Sequence, residues 1–334
     1  MTVRVGINGF GRIGRSVLRA ALAGDADVEV VAVNDITDVA TLATLLEWDS
    51  ISGHLAGVRA DDEAIVVGER TVRVFAQRDP ALVSWGEVGA DVVIESTGRF
   101  TDADSARLHL AGGARKVLVS APAKGDVPAI VLGVNTDSID VAAHDVFSNG
   151  SCTTNCLAPM AKVLHDAFGI ESGLMTTVHA YTSDQRLHDA PHSDLRRARA
   201  AAMSTIPTSS GAARTIGRII PELEGRLTGF ALRVPVPVGS ITDLTAVLTR
   251  PAGVADVNEA FRAAAASDEL GRYLEYSTAP LVSADIVGNP HSAILDAPLT
   301  QVIGSQVKVL AWYDNEWGFS NRLVELAEIV GHRL

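Results

Sequence analysis

The sequence predicts an α/β chain in two parts: a doubly wound, mostly parallel sheet in the first half, and an α+β second half with a mainly antiparallel sheet. Three observations carry this. Short apolar runs alternate with helical patterns through the first 150 residues, as strands covered on both faces by helices must. A glycine-rich turn joins the first strand to the first helix. Beyond residue 170 the apolar residues alternate, as at Leu244, Ala246 and Leu248, which suits a sheet with one covered face. The 334 residues suit two domains of roughly 150 residues each.

Val3, Val5 and Ile7 form a short strand that runs into Gly9-Phe10-Gly11-Arg12-Ile13-Gly14, and an amphipathic helix follows from Ile13 to Ala23 with a stop at Gly24. This is G-x-G-x-x-G in its required strand-turn-helix context. Gly9 permits the tight turn, Gly11 lets the backbone approach a pyrophosphate, Gly14 allows helix and strand to pack closely, and the helix N-terminus faces the anion. The next strand, 28–33, ends at Asn34-Asp35, 21 residues past Gly14. A carboxylate at Asp35 accepts from both adenine-ribose hydroxyls and repels a 2′-phosphate, so a Rossmann-type domain holding NAD is expected. Strands at 71–75, 92–95 and 117–120 and a helix at 101–110, capped by Thr101, continue the pattern. Arg78 and Ser120 lie just past strand ends, where such sheets bind ligands.

The pivot is Ser148-Asn149-Gly150-Ser151-Cys152-Thr153-Thr154-Asn155-Cys156. An apolar strand ends before it, and Leu157, Met160, Ala161, Leu164 and Phe168 recur at helical spacing after it. A cysteine in a helix's first turn feels the positive end of the helix dipole, which lowers a thiol pKa. His179 lies 27 residues on, near the end of a strand at 173–182. A cysteine and a histidine are the minimum for thiol activation. The stretch 183–206 carries Asp194-Leu195-Arg196-Arg197-Ala198-Arg199, and arginine forks are what phosphorylated substrates need. Strands at 227–234, 241–248 and 307–313, a helix at 254–266 and a last amphipathic helix through Leu323, Leu326 and Val330 complete the chain.

Composition narrows the partners. A net charge of −12 opposes general nucleic-acid binding, which needs surplus Lys and Arg. Two cysteines four apart do not make a disulfide framework, and no apolar run approaches the ~20 residues that span a bilayer. Neither Cys152/Cys156 nor His188/His192 makes a convincing metal site, because Pro191 interrupts the second pair and no further ligand pair has zinc-like spacing. A soluble cytoplasmic protein without metal is expected.

Ser-Asn-x-Ser-Cys-Thr-Thr-Asn-Cys and Thr-Thr-Val-His-Ala-Tyr-Thr (176–182) closely resemble the nucleophile and histidine segments of the phosphorylating, bacterial-like glyceraldehyde-3-phosphate dehydrogenase family. Gly150 stands where that family usually has alanine, and Ser183 replaces its asparagine. The resemblance implies a dinucleotide domain, 1–151 with 316–334, and a catalytic domain, 152–315. It also implies Cys152 as nucleophile and His179 as base, together with two anion sites. Thr182 and Arg233 would hold the phosphate of glyceraldehyde 3-phosphate, and Ser151, Thr153, Ser210, Gly211 and Arg197 would hold inorganic phosphate. Arg78 falls near the adenine, Ser120 on the nicotinamide side, and Asn315 on the nicotinamide carboxamide. A homotetramer is implied as well. Ala190, where NAD-specific members often carry leucine, leaves room for some NADP use. Erythrose-4-phosphate dehydrogenase, the nearest rival, lacks the Ala-Tyr-Thr pattern of 180–182. An NAD-binding regulatory protein without catalysis is disfavoured by retention of Cys152 and His179.

Overall fold

The computed structural model describes all 334 residues, Met1–Leu334. The chain divides into two compact units: Met1–Ile130 with Asp137–Gly150 and Ser320–Leu334, and Val131–Thr136 with Ser151–Phe319. Against a division into 1–151 with 316–334 and 152–315, Ser151 and two short segments change sides. Ser151, Val131–Thr136 and residues 316–319 belong to the second unit.

The first unit is built on eight strands in the order Val146–Ser148, Lys116–Val119, Val92–Glu95, Val3–Asn8, Val28–Asn34, Arg70–Phe75, Ala64–Val67 and Val58–Asp61. The first six are parallel. The last two run antiparallel, an edge meander that the helix-strand alternation does not foretell. Val5, Ile7, Ala32, Val33, Val92, Val93, Ile94 and Leu118 are fully buried, as a sheet with helices on both faces requires. The parallel strands finish on one edge, at Asn8, Asn34, Glu95, Val119 and Ser148, which is the ligand-binding edge of such sheets. The helix expected at 101–110 is Ala103–Ala111, and its cap is Asp102, not Thr101. A carboxylate is the better acceptor for the exposed N–H of Ser105, at 3.0 Å.

The second unit carries the strand order Ile206–Ser209, Leu227–Val234, Ile170–Ala180, Ser240–Leu248, Gln306–Tyr313, Ala293–Asp296 and Leu274–Ser277, with Gln301–Ile303 also paired to Gln306–Tyr313. Most pairs are antiparallel. Two are parallel, and one of these sets Ile170–Ala180 beside Leu227–Val234 so that His179 pairs with Arg233. The helix Cys152–Phe168 lies against strands Ser240–Leu248 and Gln306–Tyr313. Its residues 156–161 are almost wholly buried, which is why its sequence reads apolar on nearly every face. The opposite face of the sheet is open at Leu174 and Phe230, and the segment 183–206 exposes Leu187, Leu195 and Met203.

One buried cation fastens the first helix to the second helix and its hairpin. Arg19, on the helix Arg12–Ala23, donates through Nη2 to the carbonyls of Leu46 (2.6 Å) and Gly53 (2.8 Å). These carbonyls sit at the end of the helix Val39–Glu47 and in the short hairpin just after it. Arg19→Met keeps the apolar stem and strands both acceptors, so stability should fall by about 1–3 kcal/mol. Equal denaturant midpoints for the two proteins would contradict this role.

Candidate active site

Cys152 is the first residue of its helix, and Ser151 caps it. The Ser151 hydroxyl accepts from Thr154 N at 3.1 Å and pairs with Thr154 Oγ1 at 2.8 Å. That capping leaves the first backbone N–H groups of the turn to the cysteine, whose thiolate those of Thr153 and Cys152 favour. Immediately before, Gly150 takes φ +64°, a left-handed conformation in which a side chain is strained. The turn uses the glycine that replaces the family's alanine.

His179 Nε2 lies 3.3 Å from Cys152 Sγ. On the other side of the ring, Nδ1 is 2.7 Å from Ala180 O, and Arg233 Nη1 donates to the same carbonyl at 3.0 Å. Arg233 Nη1 also lies within hydrogen-bond reach of Nδ1, at 2.8 Å. With the ring hydrogen on Nδ1 and donated to Ala180 O, Nε2 is bare and faces the thiol. Burial, followed by the Arg233 charge, pushes His179 down from the ordinary 6.5 to about 3. His179 is therefore an unprotonated base at neutral pH.

The thiol departs from the expected lowering. Burial raises the Cys152 pKa and outweighs Arg233 and the Thr153 N–H, both of which lower it. The helix terminus acts in the expected direction and is overruled by desolvation. The resting pair is a thiol and a neutral imidazole. Cys156, one turn on, is fully buried with Sγ near Met160 Sδ and Ala311 O, and burial pushes its thiol up to about 12. No sequence signal distinguishes Tyr313, which is buried beside this site. Its hydroxyl lies 2.9 Å from Thr153 Oγ1 and 2.7 Å from Thr177 Oγ1, and its ring meets that of His179 edge-on at 5.9 Å. Thr153 is consequently buried against Tyr313.

Of the other residues expected on anions, Thr182 and Arg197 lie in a second cluster around Asp184. Thr182 donates its hydroxyl to Asp184, and Arg197 donates to Asp184 Oδ2 at 2.6 Å and to Thr208 Oγ1 at 2.8 Å. Burial opposes ionisation of Asp184, but the Thr182 hydroxyl and the Arg197 charge hold its pKa below the ordinary value. Nothing in the spacing of the chain singles out Asp184. Ser210 and Gly211 precede the helix Ala212–Ile219, where Ser210 Oγ accepts from Ala212 N at 3.3 Å. Arg233 Nε is buried without a protein acceptor.

In the first unit, Asn8, Gly9, Gly11, Asn34, Asp35, Gln77, Arg78, Thr97 and neighbours line a cavity of about 270 Å³. The residues suit a dinucleotide. Gly9 has φ +91°, and a side chain there would strike Thr97 N at 2.7 Å. A Cβ on Gly14 would lie 2.2 Å from Gly9 O, whereas one on Gly11 would project into open space. Gly11 makes no side-chain cap for the helix Arg12–Ala23, so its first N–H groups stay available to an anion. Asp35 is held by Phe10 N (2.9 Å) and Thr37 N (3.0 Å), one on each oxygen. Each oxygen retains an accepting direction, as a vicinal diol requires. Arg12 pairs with Asp49 at 2.5 Å. Arg12, Ile13, Gly14 and Ser120 are not among the cavity-lining residues. Ser120 N donates to Glu95 O in the first unit, whereas Asn315 belongs to the second, where its Oδ1 accepts from Ser240 Oγ (2.9 Å) and Gly239 N (3.2 Å).

A dinucleotide cradle in one unit and a cysteine paired with a neutral imidazole in the other are the features of an NAD-dependent oxidoreductase. Comparison with known proteins makes the assignment specific. Residues 3–103 match the NAD binding domain of glyceraldehyde 3-phosphate dehydrogenase, and residues 151–315 match its C-terminal domain. Glyceraldehyde-3-phosphate dehydrogenase 1 of Streptomyces avermitilis is 61% identical over 335 residues. Glyceraldehyde-3-phosphate dehydrogenase 2 of Streptomyces arenae is 60% identical over 335 residues, and the Mycobacterium tuberculosis enzyme 58% over 342. Each alignment covers 100% of both chains. The chain belongs to the glyceraldehyde-3-phosphate dehydrogenase family.

The lowered pKa of His179 has a consequence for acid stability. The unfolded chain takes up this proton near pH 6.5 and the folded chain only near pH 3, so the unfolded state binds more protons between these values. Stability contributed by the neutral ring is then complete above pH 6.5 and declines as pH falls, by about 1.4 kcal/mol per unit at most. Denaturant titrations at pH 7, 6 and 5 should show a His179→Gln variant losing less stability than the parent. Parallel losses would place the ring's pKa near its ordinary value.

Proposed function

We propose that this chain catalyses the NAD-dependent oxidative phosphorylation of D-glyceraldehyde 3-phosphate to 1,3-bisphosphoglycerate, with Cys152 as nucleophile and His179 as base. The observation that carries the reading is the 3.3 Å contact between Cys152 Sγ and an unprotonated His179 Nε2. Sulfur adds to the aldehyde carbon as Nε2 takes the thiol proton and passes it to the developing oxyanion, which leaves a neutral imidazole and a thiohemiacetal hydroxyl steadied by the N–H groups at the helix start. His179 then accepts the hydroxyl proton as the carbon is oxidised to a thioester. Bound NAD supplies the hydride acceptor. Inorganic phosphate attacks the thioester, releasing the acyl phosphate and restoring the cysteine. A thioester retains the free energy of oxidation that hydrolysis would dissipate, which is the reason for sulfur rather than oxygen at position 152.

The substrate's phosphate is assigned to Thr182 and Arg233, and the free Nε of Arg233 supports this. Inorganic phosphate is assigned to Arg197 with Ser151, Thr153, Ser210 and Gly211. In the resting chain Asp184 occupies both Arg197 and Thr182, so phosphate must displace or share that carboxylate. Gly9, Gly11, Arg12, Ile13, Gly14, Asp35 and Arg78 form the adenosine and pyrophosphate end, and Ser120 and Asn315 are assigned to the nicotinamide. A homotetramer is favoured by the exposed Leu174 and Phe230 on an open sheet face and by Leu187, Leu195 and Met203. We place the protein in the cytoplasm; no helix is long and apolar enough to cross a membrane.

NADH formation should require glyceraldehyde 3-phosphate, NAD and inorganic phosphate together, with erythrose 4-phosphate much poorer. Cys152→Ser should lower kcat by at least about a thousandfold. Turnover surviving in that variant, or independent of phosphate, would exclude the mechanism.

A further inference from the structure

The carboxyl edge of the parallel sheet carries a row of buried polar side chains, one at the end of each of three adjacent strands. Glu95 closes Val92–Glu95, Asn8 closes Val3–Asn8 and Asn34 closes Val28–Asn34. They are 1%, 2% and 4% exposed. Asn8 Nδ2 donates to Glu95 Oε2 at 2.5 Å, and Asn34 Nδ2 donates to Asn8 Oδ1 at 2.7 Å. Asn34 then grips the segment after the fourth strand, Arg70–Phe75. Its Oδ1 accepts from Gln77 N at 2.8 Å and its Nδ2 donates to Gln77 O at 2.9 Å. At the far end His109 Nε2 lies 3.0 Å from Glu95 Oε2, and Trp85 Nε1 lies 3.1 Å from His109 Nδ1.

The direction of every bond in this row is set by its first member. An indole N–H only donates, so His109 Nδ1 accepts and the ring hydrogen is on Nε2, aimed at Glu95. Asn8 Nδ2, 3.4 Å from that Nε2, is aimed at the same oxygen. The carboxylate's other oxygen accepts from Thr97 N at 2.8 Å and from the Thr97 hydroxyl. Four donors meet on Glu95. This fixes which end of the Asn8 amide faces Asn34, and that in turn fixes the Asn34 amide against Gln77.

Asn8, Asn34, Gln77 and Thr97 line the dinucleotide cavity of the first unit, whereas Glu95, His109 and Trp85 do not. The latter three stand behind the wall. We propose that Glu95 and His109 are positioning residues of the nucleotide site: they orient Asn8, Asn34 and Thr97, and so set the Gln77–Arg78 and Thr97–Arg99 rims for the adenosine half of NAD. The inference rests on that half occupying this cavity. It extends the site to residues that never touch the cofactor.

The polarity of the row supplies the test. Glu95→Gln replaces one acceptor oxygen by a donor amide where only donors approach, and His109→Leu removes one donor and strands the Trp85 N–H. His109→Gln keeps an N–H for Glu95. Calorimetric titration of the full-length protein with ADP-ribose should show affinity about tenfold weaker for Glu95→Gln and His109→Leu, and within about threefold of the parent for His109→Gln. The KM for NAD should rise in step while kcat at saturating NAD stays within about twofold, because the second unit is untouched. Should Glu95→Gln not fold, the His109 pair carries the same comparison. Parental ADP-ribose affinity in the weakened variants, with a lowered melting temperature alone, would overturn the proposal and leave the row a structural feature. An Asp35→Ala control separates the two levels. If it too binds ADP-ribose normally, the adenosine half lies elsewhere; if it alone binds poorly, the cavity assignment stands and the positioning role fails.

Discussion

The guanidinium of Arg233 is the interaction on which the chemical centre depends. Parallel pairing of Ile170–Ala180 with Leu227–Val234 puts it level with His179, and a shared carbonyl, Ala180 O, holds the two side chains in register. Its charge acts with opposite consequences on the two reacting groups. It makes an imidazolium unfavourable beside it and a thiolate more favourable. Burial works with it at the histidine and against it at the cysteine. The result is a neutral thiol beside a neutral imidazole. An anion paired with Arg233 would relieve the histidine of that charge and make it a stronger base, so anion binding at this side chain would be coupled to base strength.

The scaffolds of the two units differ in kind. The first unit uses the common edge of a parallel sheet, where chain ends, turns and one helix terminus gather by topology alone. The second places its chemistry at the start of a buried helix and near the end of a strand from its main sheet. Tyr313 links the two elements by hydrogen bonds to Thr153 on the helix and Thr177 on the strand. Burial pushes the Tyr313 hydroxyl pKa far up, so this link stays a neutral hydroxyl and adds no charge next to the cysteine.

Much of the first unit is legible in the sequence because its signals are local. Gly9 and Gly14 announce a turn and a close packing by composition, and Asp35 falls where the next strand must end. The antiparallel strands Ala64–Val67 and Val58–Asp61 are not legible: Val58–Asp61 is short and largely exposed, and Ala64–Val67, although Ile65, Val66 and Val67 are buried, is only four residues long, too short to show a period. Asp102 takes the cap from Thr101 because two adjacent oxygen-bearing residues give one sequence signal. At the chemical centre, Cys152 and His179 are found through their segments, but their electrostatics are not. The helix terminus next to Cys152 can be read from sequence, whereas the depth of protein around its sulfur cannot. Tyr313, Asp184 and the Glu95–His109 pair are meetings of residues distant along the chain or ordinary in type, and no spacing rule marks them.

The two cysteines are separated by a single helical turn yet inhabit different chemical worlds. Cys152 is partly exposed and Cys156 buried, and the latter holds its proton to about pH 12 with sulfur and carbonyl neighbours that cannot take it. A water-soluble thiol reagent therefore meets one reactive sulfur per folded chain. Its stoichiometry in a preparation counts intact chemical centres directly, and a second equivalent reports the fraction of chains that have lost their fold.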